Sequence, residues 1–236
     1  VGEIFNITHD ANDLDEYTSI VTDGGDLSTG TPGLASTAAR MEALINDTTV
    51  IYGQKDFTQI TATAYRFRFY IDPNTLTMGP GADFRVCRLQ AGNSVRSWVS
   101  LQYDGGYEIR AGIINDDVEG KMTDWYDVTD AEHYIEVLVE YGSGADENDG
   151  ELTLWIDGVQ RENRGGLDIY NISKPDGARL GAVKDLDVGT SGTLFLDEFV
   201  FRDDDIEIGP APAGVAMPIF AIDGIHSAVF GGQVVR

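Results

Sequence analysis

From Thr63 onward the chain alternates apolar and polar positions. Tyr65, Phe67, Phe69 and Ile71 share one face, with Arg66 and Arg68 on the other, the period-two signature of a half-buried strand. Asp72-Pro73-Asn74 ends that strand, because proline has no N–H to give to a ladder. FRVCRL, SWVSLQY and YEIRAGI predict three more strands. Asp104-Gly105-Gly106 joins the last two as a hairpin, with Val99, Leu101 and Tyr103, then Tyr107, Ile109 and Ala111, toward the core. Ile135, Val137 and Val139 form the next core row. Leu152, Leu154 and Ile156 then alternate with Thr153, Trp155 and Asp157, and Asp157-Gly158 supplies the positive φ angles of a tight turn. Leu180 opens another short apolar run. In GTLFLDEFVF the core set Leu194 and Leu196 resumes at Phe199 and Phe201, a slip of parity at Asp197-Glu198 that a β-bulge explains. Nearer the start, EIFNIT, YTSIV and TVIYG read as strands, TDGGDLSTGTPG as a loop, and residues 114–128 as a polar excursion. Leu34 to Ile45 fits two templates: Leu34, Ala38, Met41 and Ile45 a helical face, or Met41, Ala43 and Ile45 a strand. Many short strands separated by turn signals predict a sandwich, not parallel βαβ units.

The segments LTLWIDG and, about forty residues later, GTLFLDEFVF, preceded by WYDVTDAEHYIEVLVEYG, resemble the C-terminal half of laminin G-like domains. These belong to the concanavalin A-like lectin and glucanase group. The resemblance covers roughly Glu3 to Phe201 and is specific for fold more than for activity. It implies an all-β, two-sheet antiparallel jelly-roll sandwich and favours a strand from about Arg40. The expected sandwich occupies residues 1–208, followed by a C-terminal extension over 209–236. GPAPAG is a stiff linker that cannot be a central strand. The apolar MPIFAIDGIHSAVFGGQVV after it reads either as a late strand pair packed on the sandwich or as an arm for self-association through residues 210–236 at a neighbour's sheet edge.

Composition narrows the partners. With 40 Asp and Glu against 16 Lys and Arg, the formal charge is −24. Nucleic acid is thereby an unsuitable partner, since phosphates need a basic face, and an anionic membrane is disfavoured for the same reason. No apolar run reaches the ~20 residues of a membrane-spanning helix. Cys87, the one cysteine, excludes an internal disulfide and lies in a predicted strand, where it reads as a small buried hydrophobe. At 236 residues the chain is long enough for a two-sheet core without disulfides. An extracellular or surface-exposed location, a virion surface included, fits this composition together with the resemblance.

The glucanases of the resembled group carry Glu, Asp and Glu at alternate positions of one strand. Here Tyr134 to Tyr141 offers Glu136 and Glu140, but Leu138 stands between them, and two glutamates four apart on a strand are separated by about 13 Å of rise. Retaining hydrolysis needs about 5–5.5 Å. The pair therefore reads as surface glutamates, and the expectation is that the chain is not an enzyme. The resemblance also implies a calcium site between the first and last strands, matched here by Glu3 and Asp197, with Gly24 in the nearby loop and Asp10 or Asp13 as alternatives; calcium takes six to eight such oxygens. For carbohydrate, rings that stack on a sugar and side chains that bond its hydroxyls are sought on an exposed face. Trp155 and Trp98 lie opposite their strands' aliphatic rows, with Trp125 and Tyr126 in the polar excursion and Arg66 and Arg68 on an outer face. The leading expectation is a non-catalytic surface module binding a glycan or cell-surface polysaccharide, with Ca2+ as a stabilising ion. The alternatives are a structural subunit of a surface layer, filament or virion, and an atypical glycoside hydrolase or lyase.

Overall fold

A computed structural model describes residues 2–212. Two antiparallel sheets face each other across one apolar layer. The first sheet runs β14 (Val159–Leu167), β13 (Gly150–Ile156), β12 (His133–Glu140), β6 (Ala64–Asp72), β16 (Gly192–Arg202), β4 (Arg40–Ile45) and β3 (Leu27–Gly30), and β1 (Glu3–Ile7) also pairs with β16. The second runs β10 (Gly120–Met122), β9 (Tyr107–Ile114), β8 (Ser94–Tyr103), β7 (Ala82–Ala91), β15 (Gly177–Lys184), β5 (Ile51–Asp56) and β2 (Ser19–Val21), and β11 (Tyr126–Val128) pairs with β9. The alternation read from the sequence is the alternation of the core: Tyr65, Phe67, Phe69, Val99, Leu101, Ile109, Leu152 and Leu154 are all fully buried. Leu34 to Ile45 resolves as a strand from Arg40. Asp157 (φ 53°) and Gly158 (φ 74°) form the predicted tight turn. Three short strands, β3, β10 and β11, lie in stretches that read as loop; each is only three or four residues, too short for a periodic signal.

β16 organises the first sheet. Its first half pairs with β4, Gly192 to Leu196 against Ile45 to Met41, and its second half with β1, Phe199 against Ile7 and Phe201 against Phe5. Between them lies the predicted bulge, where Glu198 takes φ 52° and the register with β6 shifts between Asp197 and Val200. An extra residue at that point keeps Leu194, Leu196, Phe199 and Phe201 on the core side, all completely buried.

After β16 the chain turns back across the outer face of the first sheet. Arg66 Nη1 donates to the Asp205 carbonyl (2.8 Å), the Ile208 and Gly209 N–H groups donate to the two Glu136 oxygens (3.0 Å each), and the Ala211 N–H donates to the Tyr70 hydroxyl (2.9 Å). Residues 203–212 thus form a strap that begins before the expected limit at 208 and continues past it. The expected arm over 210–236 falls, beyond Pro212, outside the described residues.

Candidate functional site

This strap covers the β12–β6 part of the first sheet's outer face. Glu136, read as a surface glutamate, is 2% exposed and lies 2.5 Å from Arg66 Nε, while Arg68 pairs with Glu198 at 3.3 Å. Arg66 also lies over the Trp155 ring at 4.4 Å. Arg66 and Arg68 are 6% and 2% exposed. They are therefore corrected from glycan contacts to members of a buried ion-pair layer, because the chain's own backbone occupies the platform. Trp155 lies in that same layer, capped by Arg66. A buried carboxylate must be paired and hydrogen-bonded to be tolerated, and Glu136 finds one guanidinium and two amides.

The outer face of the second sheet is built differently. Arg179 on β15 stands opposite Gln54 of β5 on one side and Arg88 of β7 on the other, and Arg88 stands opposite Trp98 of β8. One row along, Arg85 faces Ser100, which in turn faces Arg110 of β9. Four of the chain's sixteen basic residues thus share one face. A register shift between Arg85 and Cys87 inserts an extra residue in β7, so Arg85 and Arg88, three apart, both point outward while Val86 and Cys87 are both buried.

Each of three guanidiniums lies over a ring: Arg85 over Trp98 (4.6 Å), Arg110 over Trp125 (4.1 Å) and Arg179 over Tyr52 (4.5 Å). Trp98 lies flat against β9 because residue 112 is glycine; a Cβ there would run into the indole ring. Two of the arginines have carboxylates at 3.5 Å, Arg85 with Asp185 and Arg110 with Asp83. The other two do not. Arg179 Nε donates to the Gln54 side-chain oxygen (2.7 Å) and Arg88 Nη2 to the Asn93 carbonyl (2.5 Å), and among the described residues neither has an acidic partner. Burial, then the Arg179 and Arg85 charges, hold the Arg88 guanidinium below its ordinary pKa, with Tyr52 opposing that shift. Burial and Arg85 do the same to Arg110, against Asp83. Beside this row, Gln54, Asp56, Gln90, Asn93 and Asp176 line a depression of about 380 Å³. A second cavity, of about 590 Å³, lies at the end of the sandwich and contains none of these groups.

Of the residues expected to bind carbohydrate, Trp125 reaches this face half-buried; Trp98 points toward it but is 4% exposed, shut between Arg85 and Gly112, and is corrected from a stacking ring to a packing one. Tyr126 does not reach it: its hydroxyl donates to Glu162 of β14 (3.0 Å) and its ring packs against the core. Arg85, Arg88, Arg110, Arg179 and Tyr52 were not expected. Their signal was present as arginine at polar strand positions of an acidic chain, but strict alternation puts Arg85 and Arg88 on opposite faces.

The expected calcium ligands do not gather, and no group of three His, Cys, Asp or Glu side chains suited to a metal occurs among the described residues. Asp197, fully buried, is taken up by protein donors: His9 Nδ1 (3.0 Å), the Leu34 N–H (3.0 Å), the Thr37 hydroxyl (2.6 Å) and the Glu198 N–H (2.8 Å). His9 Nε2 in turn meets the Tyr17 hydroxyl at 3.1 Å. Asp10 accepts the Ala38 N–H and Asp13 the Asp15 N–H. Glu3 is exposed on β1 opposite Arg202, and Gly24 is exposed in its loop.

No family model matches the chain, and no curated protein does. Solved structures do. An endo-β-1,4-glucuronan lyase from the fungus Trichoderma reesei superposes with a TM-score of 0.59 at 10% identity, covering 84% of this chain and 94% of the lyase. The ligand-binding domain of botulinum neurotoxin serotype D, in complex with N-acetylneuraminic acid, superposes at 0.60 with 10% identity, covering 87% of this chain and 48% of the toxin domain. The receptor-binding domain of botulinum neurotoxin D gives 0.60 at 11%, with 87% and 50% covered. The fold is a jelly-roll sandwich. This chain spans about half of the toxin domains and nearly the whole lyase. The laminin G-like branch of the sequence resemblance draws no support from these neighbours. One expectation is overturned. The missing glucanase carboxylates led to a non-enzymatic reading, yet the fold is shared with a polysaccharide lyase, so their absence excludes one reaction and not catalysis.

Proposed function

We propose that the outer face of the second sheet binds an acidic, uronate-type polysaccharide. The observation that carries this is the pair Arg88 and Arg179, adjacent across two strands and without a carboxylate partner among the described residues, in a chain of net charge −24. Like charges directly opposite on a sheet are destabilising. An anion between them would supply the missing counter-charge, and guanidinium forks suit carboxylates geometrically. From β15 to β9 is three strand spacings, about 14 Å, which leaves room for several sugar units in a row. Trp125, half-buried under Arg110 at the far end, adds ring surface. Two of the structural neighbours point the same way: one is a lyase named for glucuronan and another holds a sialic acid.

Tyr52 favours a second step on the same face, cleavage by β-elimination. Its ring lies under Arg179, next to Arg88. A guanidinium holding the uronate carboxylate makes the neighbouring ring proton more acidic, and a phenolate accepts that proton as general base. The electron pair left behind forms a carbon–carbon double bond, the glycosidic oxygen leaves, and that oxygen is protonated by the phenol. No oxidant or reductant is needed.

Calorimetric titration of the chain with polyglucuronate and with a neutral β-glucan tests the binding. The acidic polymer is expected to bind and to weaken steeply with salt, as charge screening requires; equal binding of the neutral glucan would refute it. Near-ultraviolet absorbance of the unsaturated product tests cleavage. Tyr52→Phe is expected to keep binding and lose product, and continued product formation by this variant removes Tyr52 from the reaction.

A further inference from the structure

A cavity of about 590 Å³ opens at the end of the sandwich, between the loop after β6, the β8–β9 hairpin and the loop before β12. Its floor is apolar: Leu76, Met78, Tyr107 and Val128 line it and are each under 9% exposed. Tyr103 and Tyr107 meet edge to face, with centroids 5.3 Å apart and planes at 71°. The Tyr107 hydroxyl donates to the Leu76 carbonyl (2.5 Å), so its polar end is already used and its ring serves as wall.

Charge on this cavity has one sign. Asp130 lines it and makes no hydrogen bond or ion pair among the described residues, and no Lys, Arg or His is in the lining. Asp72 is close by: burial first, and then the Asp130 charge, hold its carboxyl above the ordinary value. The same two carboxylates, after burial, raise the Tyr107 phenol. An anionic guest is repelled here, and a neutral apolar guest would desolvate Asp130 without pairing it.

We propose that this cavity binds an organic ammonium group. Aromatic ring faces attract a cation through their quadrupole, the Met78 thioether gives a polarisable contact, and Asp130 supplies the counter-charge. This ligand class is opposite to that of the arginine face, so the two sites are independent.

Choline and its uncharged tert-butyl isostere are the probes, followed by the Tyr ring resonances of the full chain. Choline is expected to shift the Tyr103 and Tyr107 signals and the isostere to bind more weakly. Asp130→Asn is expected to weaken choline about fivefold, the upper range for a partly exposed charge pair, and to leave the isostere unchanged. Asp15→Asn, in the N-terminal loop, removes the same charge elsewhere and is expected to change nothing, which separates the site from general attraction to an acidic protein. Equal affinity for the two probes, no response to Asp130→Asn, or no shift of either ring with choline would each overturn the proposal. Tyr103→Leu guards against a misfolded variant: near-ultraviolet dichroism of the remaining aromatics should persist while choline binding falls, and undiminished choline binding by this folded variant would also overturn the proposal.

Discussion

Arg88→Gln separates a site from a structural feature, because it is expected to lower binding without lowering stability. In the folded chain the Arg88 guanidinium donates to the Asn93 carbonyl and faces Arg179 across β7 and β15. Losing one hydrogen bond from a half-buried group costs about 1 kcal/mol. Removing a like charge from directly across the sheet returns up to about 1 kcal/mol. The two nearly cancel, so the melting temperature should stay within about 2 °C of wild type for a domain of this size. Binding has no such compensation: a charge-assisted hydrogen bond to a carboxylate contributes about 1.5–3 kcal/mol, so affinity for polyglucuronate should fall at least tenfold. Arg85→Gln is the comparison, since Arg85 already has Asp185 at 3.5 Å and should lose less. Calorimetry for affinity and differential scanning for stability decide the matter. Unchanged affinity, or a fall in melting temperature of several degrees, would refute the assignment of Arg88 as a ligand group.

Asp197→Ala removes an acceptor from four donors at a fully buried point, and a loss of about 3–5 kcal/mol is expected, measured by urea unfolding. A loss under about 1 kcal/mol would mean that the N-terminal loops are held by something else. Glu136→Ala strands the Arg66 guanidinium and two strap amides; amide exchange at Ile208 and Gly209 should accelerate while the core strands stay protected. Gly112→Val drives a side chain into Trp98, and overpacking should cost about 1–3 kcal/mol while moving the indole fluorescence. Glu140 titrates above its ordinary value because of burial, then Glu151 and Asp205. The native state holds this proton more tightly than the unfolded chain does, so wild-type stability falls as pH rises through that window. Glu140→Gln should therefore melt higher than wild type at neutral pH and lose that advantage in acid; a pH-independent difference would contradict this.

Much of the fold was legible because one interaction, burial of alternate side chains, sets strand, face and register together. Even the β16 bulge was readable, since core residues sit on both sides of it and the phase change shows between Leu196 and Phe199. The β7 bulge was not, because Val86 and Cys87 are adjacent and both apolar, which reads as ordinary variation in a short run. That one extra residue hid the arginine row by assigning Arg85 and Arg88 to opposite faces. The face of Trp98 and Trp125 was legible because large rings off the core row are conspicuous by themselves, but the burial of Trp98 depends on Arg85 above it and Gly112 beneath. Arg66, Arg68 and Trp155 were assigned to the correct face, and the burial of the two arginines could not be foreseen. It depends on a strap distant in sequence whose hold is mainly backbone amides, and a backbone amide is present in every residue but proline. The calcium set failed for a related reason: an aspartate that takes a cation and one that takes four protein donors look alike until the donors are placed.

The two outer faces allow a comparison within one molecule. Both carry arginines, and beneath the strap on the first sheet they are neutralised: Arg66 by Glu136 and Arg68 by Glu198. On the second sheet Arg88 and Arg179 are left facing each other with only a carbonyl and an amide oxygen. The chain has 40 Asp and Glu residues, and Gln54→Glu would place a carboxylate against Arg179. Gln54 Nε2 also donates to Asp56 (2.7 Å), so Gln54→Glu exchanges the Arg88–Arg179 repulsion for one with Asp56: stability should change little, while binding of an acidic polymer should be lost. Gln54→Glu tests that contrast directly. A melting temperature within about 2 °C of wild type with loss of polyglucuronate binding is the expected outcome; binding left intact would show that the imbalance has no part in recognition.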